Sequence, residues 1–270
     1  MGTNANAQDE GGRSTDPNQH KIEQSRRAAK SIPLPYIAPA TLAPPTGPKE
    51  VPVRVDFGGG WLDVPRFARP NSYVVNCAIT PMVSLKHWGY ERNGGLGGSA
   101  AYSVLLGNNA VETELQLGIG WQDPAIISET GLCSWISGPR PVLDMKTSGE
   151  WLRGLMALCW TGKPHNTPSL VSLNRNWDLI VEAGHMCRNA VRASSLPLLA
   201  DGINTSYAVQ RQEGMDDLPV VGEAAKKYCG GGFGGYALYL FTNSTNRQAF
   251  VAAGPGRIAV EPFIRQPART

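Results

Sequence analysis

The sequence predicts an α+β protein. Three observations carry this reading: short β-branched or alternating apolar segments, longer segments with one apolar face at helical spacing, and glycine clusters at the junctions between them. Residues 51–57 alternate as a half-buried strand does and run straight into Gly58, Gly59 and Gly60. Residues 72–79, β-branched and apolar, read as a second strand. Residues 99–109 lack proline and are rich in Ala and Leu, so they read as a helix that starts just after a glycine loop. Residues 131–136 and 155–161 are strand-like. Trp177–Ala193 places Trp177, Ile180, Val181, Gly184, Cys187 and Val191 on one helical face. Residues 197–212 follow as a further helix with Pro197 in its first turn. Residues 236–241 read as a strand, 245–253 as a short helix and 257–264 as a terminal strand.

Composition excludes several function classes. The chain has 270 residues, a length for one large domain or two small ones with a substantial core. Its net charge of +3, from 25 Lys+Arg against 22 Asp+Glu, is small and scattered, whereas nucleic-acid binding needs a clustered basic face. No apolar run approaches the roughly 18 residues a membrane span needs, so neither nucleic acid nor membrane is expected as a partner. Cys77, Cys133, Cys159, Cys187 and Cys229 are odd in number, contain no CxxC pair and share no ligand spacing with the histidines. That pattern predicts a reduced, cytoplasmic protein without a disulfide framework or structural zinc. Gly and Pro are abundant, 31 and 21 residues. Residues 1–30 hold only Met1 and Ile22 as large apolar side chains, too few to offset ordering, and predict a disordered leader. Prolines 33, 35, 39, 44, 45, 48 and 52 favour an extended linker. The expected organisation is a tail and linker over 1–49, then a split near residue 145 that divides 50–145 from 146–270.

Three glycine clusters hold the candidate chemistry. In the first, Gly58–Gly60 let the backbone approach a ligand, and Trp61 and Asp63 supply an apolar face and a carboxylate for a polyhydroxylated ring. The alternative is a strand-end turn with Trp61 in the core and Asp63 as a helix cap. In the second, residues 93–101, consecutive N–H groups and the following helix N-terminus form an anion nest suited to phosphate. Ser99 could offer its hydroxyl to Mg²⁺, although no lysine completes a Walker sequence; the alternative is a glycine-rich hairpin with Ser99 as N-cap. The third cluster, residues 229–236, enters an apolar strand and equally suits close helix packing. Between the last two, Glu112 and Glu114 precede a Gly-Trp-Gln-Asp segment ending at Asp123, which is either a turn residue or a base aimed at a substrate hydroxyl.

In their order along the chain, these motifs resemble the GHMP kinase superfamily, which includes galactokinase, mevalonate kinase and homoserine kinase. The first motif (RVDFGGGWLDVP) and the GWQD segment are most similar to the L-fucokinase and heptose-7-phosphate kinase branch, and GGGFGG resembles the galactokinase form. Leu158–Gly162 (LCWTG) is similar to a strand of the same sugar-kinase branch. The resemblance covers about residues 51–265. It implies two α+β lobes, the first like ribosomal protein S5 domain 2 and here shortened, the second ferredoxin-like, with the site between them. It implies ATP and Mg²⁺ as cofactors, a sugar or sugar phosphate as partner, and transfer of the γ-phosphate to a hydroxyl, the anomeric one in that branch. By position, Gly94, Gly95, Leu96, Gly97, Gly98, Ser99 and Ala100 would wrap the ATP phosphates, with Ser99 and Glu112 on the metal and Glu114 competing. Asp123 would be the base, with Arg54 beside it keeping it ionised. Asp63, Trp61, Gly60, Gly232 and Gly234 would serve the sugar, the last two within a segment, 231–235, that also supports the phosphate loop. Gly98 stands where the family has Ser or Thr, and the segment between Ser84 and Gly94 is much shorter than in the family. Those departures suit an alternative, a family member that binds sugar or nucleotide without turnover. A monomer or homodimer is expected.

Overall fold

Strand β1 (Val51–Gly58) pairs antiparallel with β2 (Tyr73–Val83), with Val53 opposite Ile79 and Asp56 opposite Asn76. Its side chains alternate between two faces. Val51, Val53, Val55 and Phe57 enter the main core, and Arg54 and Asp56 take the other face, which is also buried. The expected half-buried strand is therefore buried on both sides, because its polar face looks into a cavity rather than solvent.

The computed structural model describes residues 45–165 and 173–266, which lie in one compact unit starting at Pro45. The leader over 1–30 and most of the proline-rich segment lie outside the described residues. The packed body includes residues ahead of Val51: Thr46 and Gly47 pack against the backbone of Leu105 and Gly107.

Six more strands follow: β3 (Leu132–Ile136), β4 (Val142–Thr147), β5 (Met156–Trp160), β6 (Ala225–Tyr228), β7 (Tyr236–Leu240) and β8 (Arg257–Pro262). The sheet order is β4-β3-β2-β8-β5-β7-β6, with β1 also on β2 and every pairing antiparallel. Strand β8 joins the two halves, meeting β2 through Pro262 and Glu261 and running alongside β5 from Arg257 to Val260. Residue 145 lies inside β4, and the chain crosses to the other half after Thr147.

The helices are α1 (Gly98–Leu105), α2 (Ala110–Gln116), α3 (Gln122–Glu129), α4 (Trp177–Ala193), α5 (Leu196–Gln212) and α6 (Ser244–Ala252). Helices α4 and α5 pack on each other and on β1, and α1 and α3 also pack on β1. The helix expected over 99–109 stops at Leu105 because Gly107 turns left-handed (φ 83°) and the Asn109 side chain accepts the Glu112 N–H to start α2. Strand β6 carries Lys226 and Lys227 yet is buried, since both lysines are ion-paired. Among the described residues no helix is long and apolar enough to cross a membrane, and the five cysteines are free.

Gly184 of α4 sits against the Tyr73 carbonyl, where a Cβ would run into that oxygen. Gly184→Ala is expected to push α4 off β2 and to cost about 1–3 kcal/mol, read as a lower denaturant midpoint at unchanged slope.

Candidate active site

A cavity of about 1080 Å³ opens beside the polar face of β1. Arg54, 3% exposed, crosses its floor. Its Nε and Nη2 donate to the two carboxylate oxygens of Asp123 at 2.6 and 2.9 Å, a bidentate pair, and Nη1 donates to the Gly95 carbonyl at 2.6 Å and to Asp56 at 3.3 Å. Asp56 also accepts the Lys227 ammonium and the Gly230 N–H at 2.9 Å. Asp123, Arg54, Asp56 and Lys227 thus form a row of alternating charge. Burial alone would raise the Asp56 pKa, but Lys227 and Arg54 outweigh it and hold the carboxylate below its usual range. Burial would likewise lower the Arg54 pKa, yet Asp123 and Asp56 hold it above the ordinary value.

The second glycine cluster lies over this row and is shaped by the third. Gly95 approaches Cys229 and Gly230 so closely that a Cβ would sit 2.7 Å from the Cys229 carbonyl oxygen. The Gly94 carbonyl accepts the Tyr236 N–H at 2.8 Å, and the Leu96 carbonyl accepts the Arg54 N–H at 3.1 Å. Gly97 caps α1 in the left-handed region (φ 75°), where a Cβ would meet Arg54 and Asp123 at 3.3 Å. No side chain caps α1, whereas Asn109, Asn176, Ser195 and Asn243 cap α2, α4, α5 and α6. The N–H groups at the start of α1 therefore retain capacity for an anion. The Ser99 hydroxyl donates to Glu114 at 2.7 Å. Burial and the nearby Asp123 charge push the Glu114 pKa up to about 7.

At the other end stands Asp63, 2% exposed, which accepts the Gln122 backbone N–H at 3.2 Å and the Gln122 amide Nε2 at 3.1 Å. It caps α3 across 59 residues and lines the cavity as well, so the cap alternative and the ligand alternative share one side chain. Gly120 leaves room for it, since a Cβ there would run into the carboxylate. Burial, then the Asp123 charge, pushes the Asp63 pKa up to about 7. Trp61 (φ 80°) borders the cavity with the Arg175 guanidinium 3.9 Å from its ring centre, and Arg175 pairs with Glu213 at 3.2 Å.

Arg54, Gly60, Trp61, Asp63, Asp123 and residues 94–99 all line the cavity. Ala100 is buried in the core beneath the loop. Glu112 does not meet Ser99; its side chain is exposed and pairs with Arg140, because residues two apart on a helix face opposite ways and Glu114 takes the inner side. Gly232 and Gly234 are turned away, one against Met215 and the other against Pro164, and Gly230 and Gly231 line the cavity instead. Asp56, Trp88, Gln122, His165 and Lys227 were not singled out from the sequence. Asp56 at alternate spacing from Arg54 on a strand was the one available signal.

Two outcomes follow from these charges. Lys227→Met leaves the Asp56 charge buried with less compensation and is expected to cost about 3–5 kcal/mol in chemical unfolding. For Asp63 the sign runs the other way. Between about pH 4 and 7 the unfolded chain has lost this proton and the folded chain keeps it, so stability falls as pH rises, by up to about 4 kcal/mol, and levels off above 7. Asp63→Asn should flatten that slope in melting curves taken from pH 4 to 8.

No family model matches the sequence, and no curated protein matches it. Solved structures do. A D-glycero-D-manno-heptose 1-phosphate kinase from Bacteroides thetaiotaomicron is 14% identical with a TM-score of 0.54, over 79% of this chain and 94% of that one. The L. major mevalonate kinase in complex with R-mevalonate is 15% identical with a TM-score of 0.55, over 83% and 97%. The Lactococcus lactis galactokinase complexed with galactose is 14% identical with a TM-score of 0.54, over 79% and 92%. At such identities the shared property is architecture: the chain has the α+β fold of these kinases.

Proposed function

We propose that this chain is an ATP-dependent kinase that transfers the γ-phosphate to a hydroxyl of a small sugar-like molecule, the anomeric hydroxyl of a fucose-, heptose- or galactose-like substrate. The reading rests on the bidentate Arg54–Asp123 pair set beside Gly97 of an uncapped glycine nest. The similar structures are kinases of small molecules, one of them holding galactose. In this reading residues 50–145 form the ATP-binding lobe and 146–270 the carboxyl-terminal lobe.

The N–H groups over 94–99 suit a polyphosphate, since they are donors at a helix N-terminus without a side-chain cap. Ser99 and Glu114 fit Mg²⁺, which favours hard oxygens and takes one or two carboxylates, its remaining ligands coming from phosphates and water. Bound there, Mg²⁺ supplies charge neutralisation at the phosphates. Arg54 fixes both oxygens of Asp123 in the plane of its guanidinium and neutralises the charge beside the reacting centre. Asp123 orients the acceptor hydroxyl and takes its proton as the oxygen–phosphorus bond forms and ADP leaves; such transfers depend on positioning and electrostatics. Asp63, Gln122, Trp61 and Gly60 hold the acceptor's other hydroxyls. The presence of base, cation and metal-type oxygens in one cavity favours turnover over binding alone.

Asp123→Asn should reduce kcat about 1000-fold while the Kd for ATP changes less than about threefold; wild-type kcat in that variant removes the assigned base. Glu114→Gln should weaken Mg²⁺ dependence of ADP release at least about tenfold, whereas Glu112→Gln, on the outer face of α2, should leave it unchanged.

A further inference from the structure

Asp123 is held at two points. Its carboxylate meets the Arg54 fork, and its backbone follows Gln122, the first residue of α3. The residue before that helix, Trp121, gives it no side-chain cap. Its indole is fully buried, edge-on to Trp135, and donates Nε1–H to the Gly138 carbonyl at 2.8 Å. Asp63 supplies the missing cap. One of its oxygens accepts the Gln122 backbone N–H at 3.2 Å and the other accepts Gln122 Nε2 at 3.1 Å. A single side chain thus grips both the main chain and the side chain of the residue next to Asp123.

Several neighbours are shaped to that contact. Gly120 lies so close to the Asp63 carboxylate that any side chain there would displace it. An ionised carboxylate only accepts hydrogen bonds, so Gln122 must turn its NH₂ towards Asp63. The buried Gln122 Oε1 is left without a donor among the described residues, and the Asp63 contact holds that orientation against the cost. Arg54 stands before Gly58–Gly60 and Asp63 after them, so one strand end fixes the carboxylate of Asp123 and the start of its helix together. A displacement of about 1 Å at a reacting group is enough to cost about 100-fold in rate.

We propose that Asp63 is a positioning residue: its clamp on Gln122 fixes the first turn of α3, and through it the place of the Asp123 carboxylate, and this is its main effect on the reaction rate. The effect on rate rests on the kinase reading, which makes Asp123 the base; the clamp itself does not. It is tested on the full chain at about pH 8, where Asp63, with its pKa near 7, is ionised. The variants are Asp63→Ala, Gln122→Glu and the exchanged pair Asp63→Asn/Gln122→Glu. In the exchanged pair the amide at 63 accepts the backbone N–H and donates its NH₂ to the carboxylate at 122, so both bonds and the net charge are kept. Gln122→Glu alone sets two carboxylates face to face. Two quantities are read: kcat and acceptor KM from ADP release over free sugars and sugar phosphates, and amide hydrogen exchange along the chain. Asp63→Ala and Gln122→Glu should each lower kcat about 100-fold, by a larger factor than they raise KM. Both should speed exchange in the first turn of α3 at least about tenfold while β5 and β7 keep their protection. The exchanged pair should regain at least about tenfold in kcat over Gln122→Glu and slow that exchange again. A KM rise larger than the kcat loss, unchanged exchange in Asp63→Ala, or an exchanged pair no better than Gln122→Glu would each overturn the proposal. Where Asp63→Ala does not fold, the exchanged pair against Gln122→Glu decides. If the wild-type chain releases no ADP with any sugar, the kinase reading fails, and the exchange measurement decides whether the clamp stands.

Discussion

Arg54 carries a guanidinium into a region with almost no water, and its donors must all find oxygen there. They find it in three separate parts of the chain: Asp56 on its own strand, the Gly95 carbonyl in the second glycine cluster, and both oxygens of Asp123 at the start of α3. A buried charge left without one of these partners costs several kcal/mol, so the three parts are held in one arrangement. The side chain that gives the site its charge also gives it its shape. Lys227 extends the constraint into the carboxyl half by neutralising Asp56 from β6.

Three members of that row, Arg54, Asp56 and Asp123, line one cavity. The same lining holds the carboxylates of Asp63 and Glu114 together with the cations Lys86 and Arg92. Asp123 stands close enough to add to the effect of burial in raising the pKa of both Asp63 and Glu114, while its own charge is met by Arg54.

Much of this was legible in the sequence, and the exceptions have physical causes. The alternation over 51–57 announces β1, and glycines that crowd strand ends and a helix start announce close backbone approach. What spacing cannot give is orientation. Glu112 and Glu114 have the same chemistry two residues apart, and only the direction of α2 decides which faces Ser99. Helix α3 hid because its cap comes from Asp63, 59 residues upstream, rather than from an adjacent residue. Strand β6 hid because two lysines in four residues look solvated until their partners are seen. Gly232 and Gly234 share a motif with Gly230 and Gly231, yet alternate glycines in one turn face different neighbours.

The contact between the second and third glycine clusters also bears on how the molecule assembles. The loop around Gly95 takes its shape from Cys229, Gly230 and Tyr236, more than a hundred residues later, and bringing such distant segments together costs chain entropy before any contact repays it. During synthesis the amino half emerges with this glycine loop and its Arg54 contacts but without the Cys229, Gly230 and Tyr236 surface against which the loop also packs. The packing of the loop is therefore completed only when β6 and β7 are in place, however early its own sequence appears.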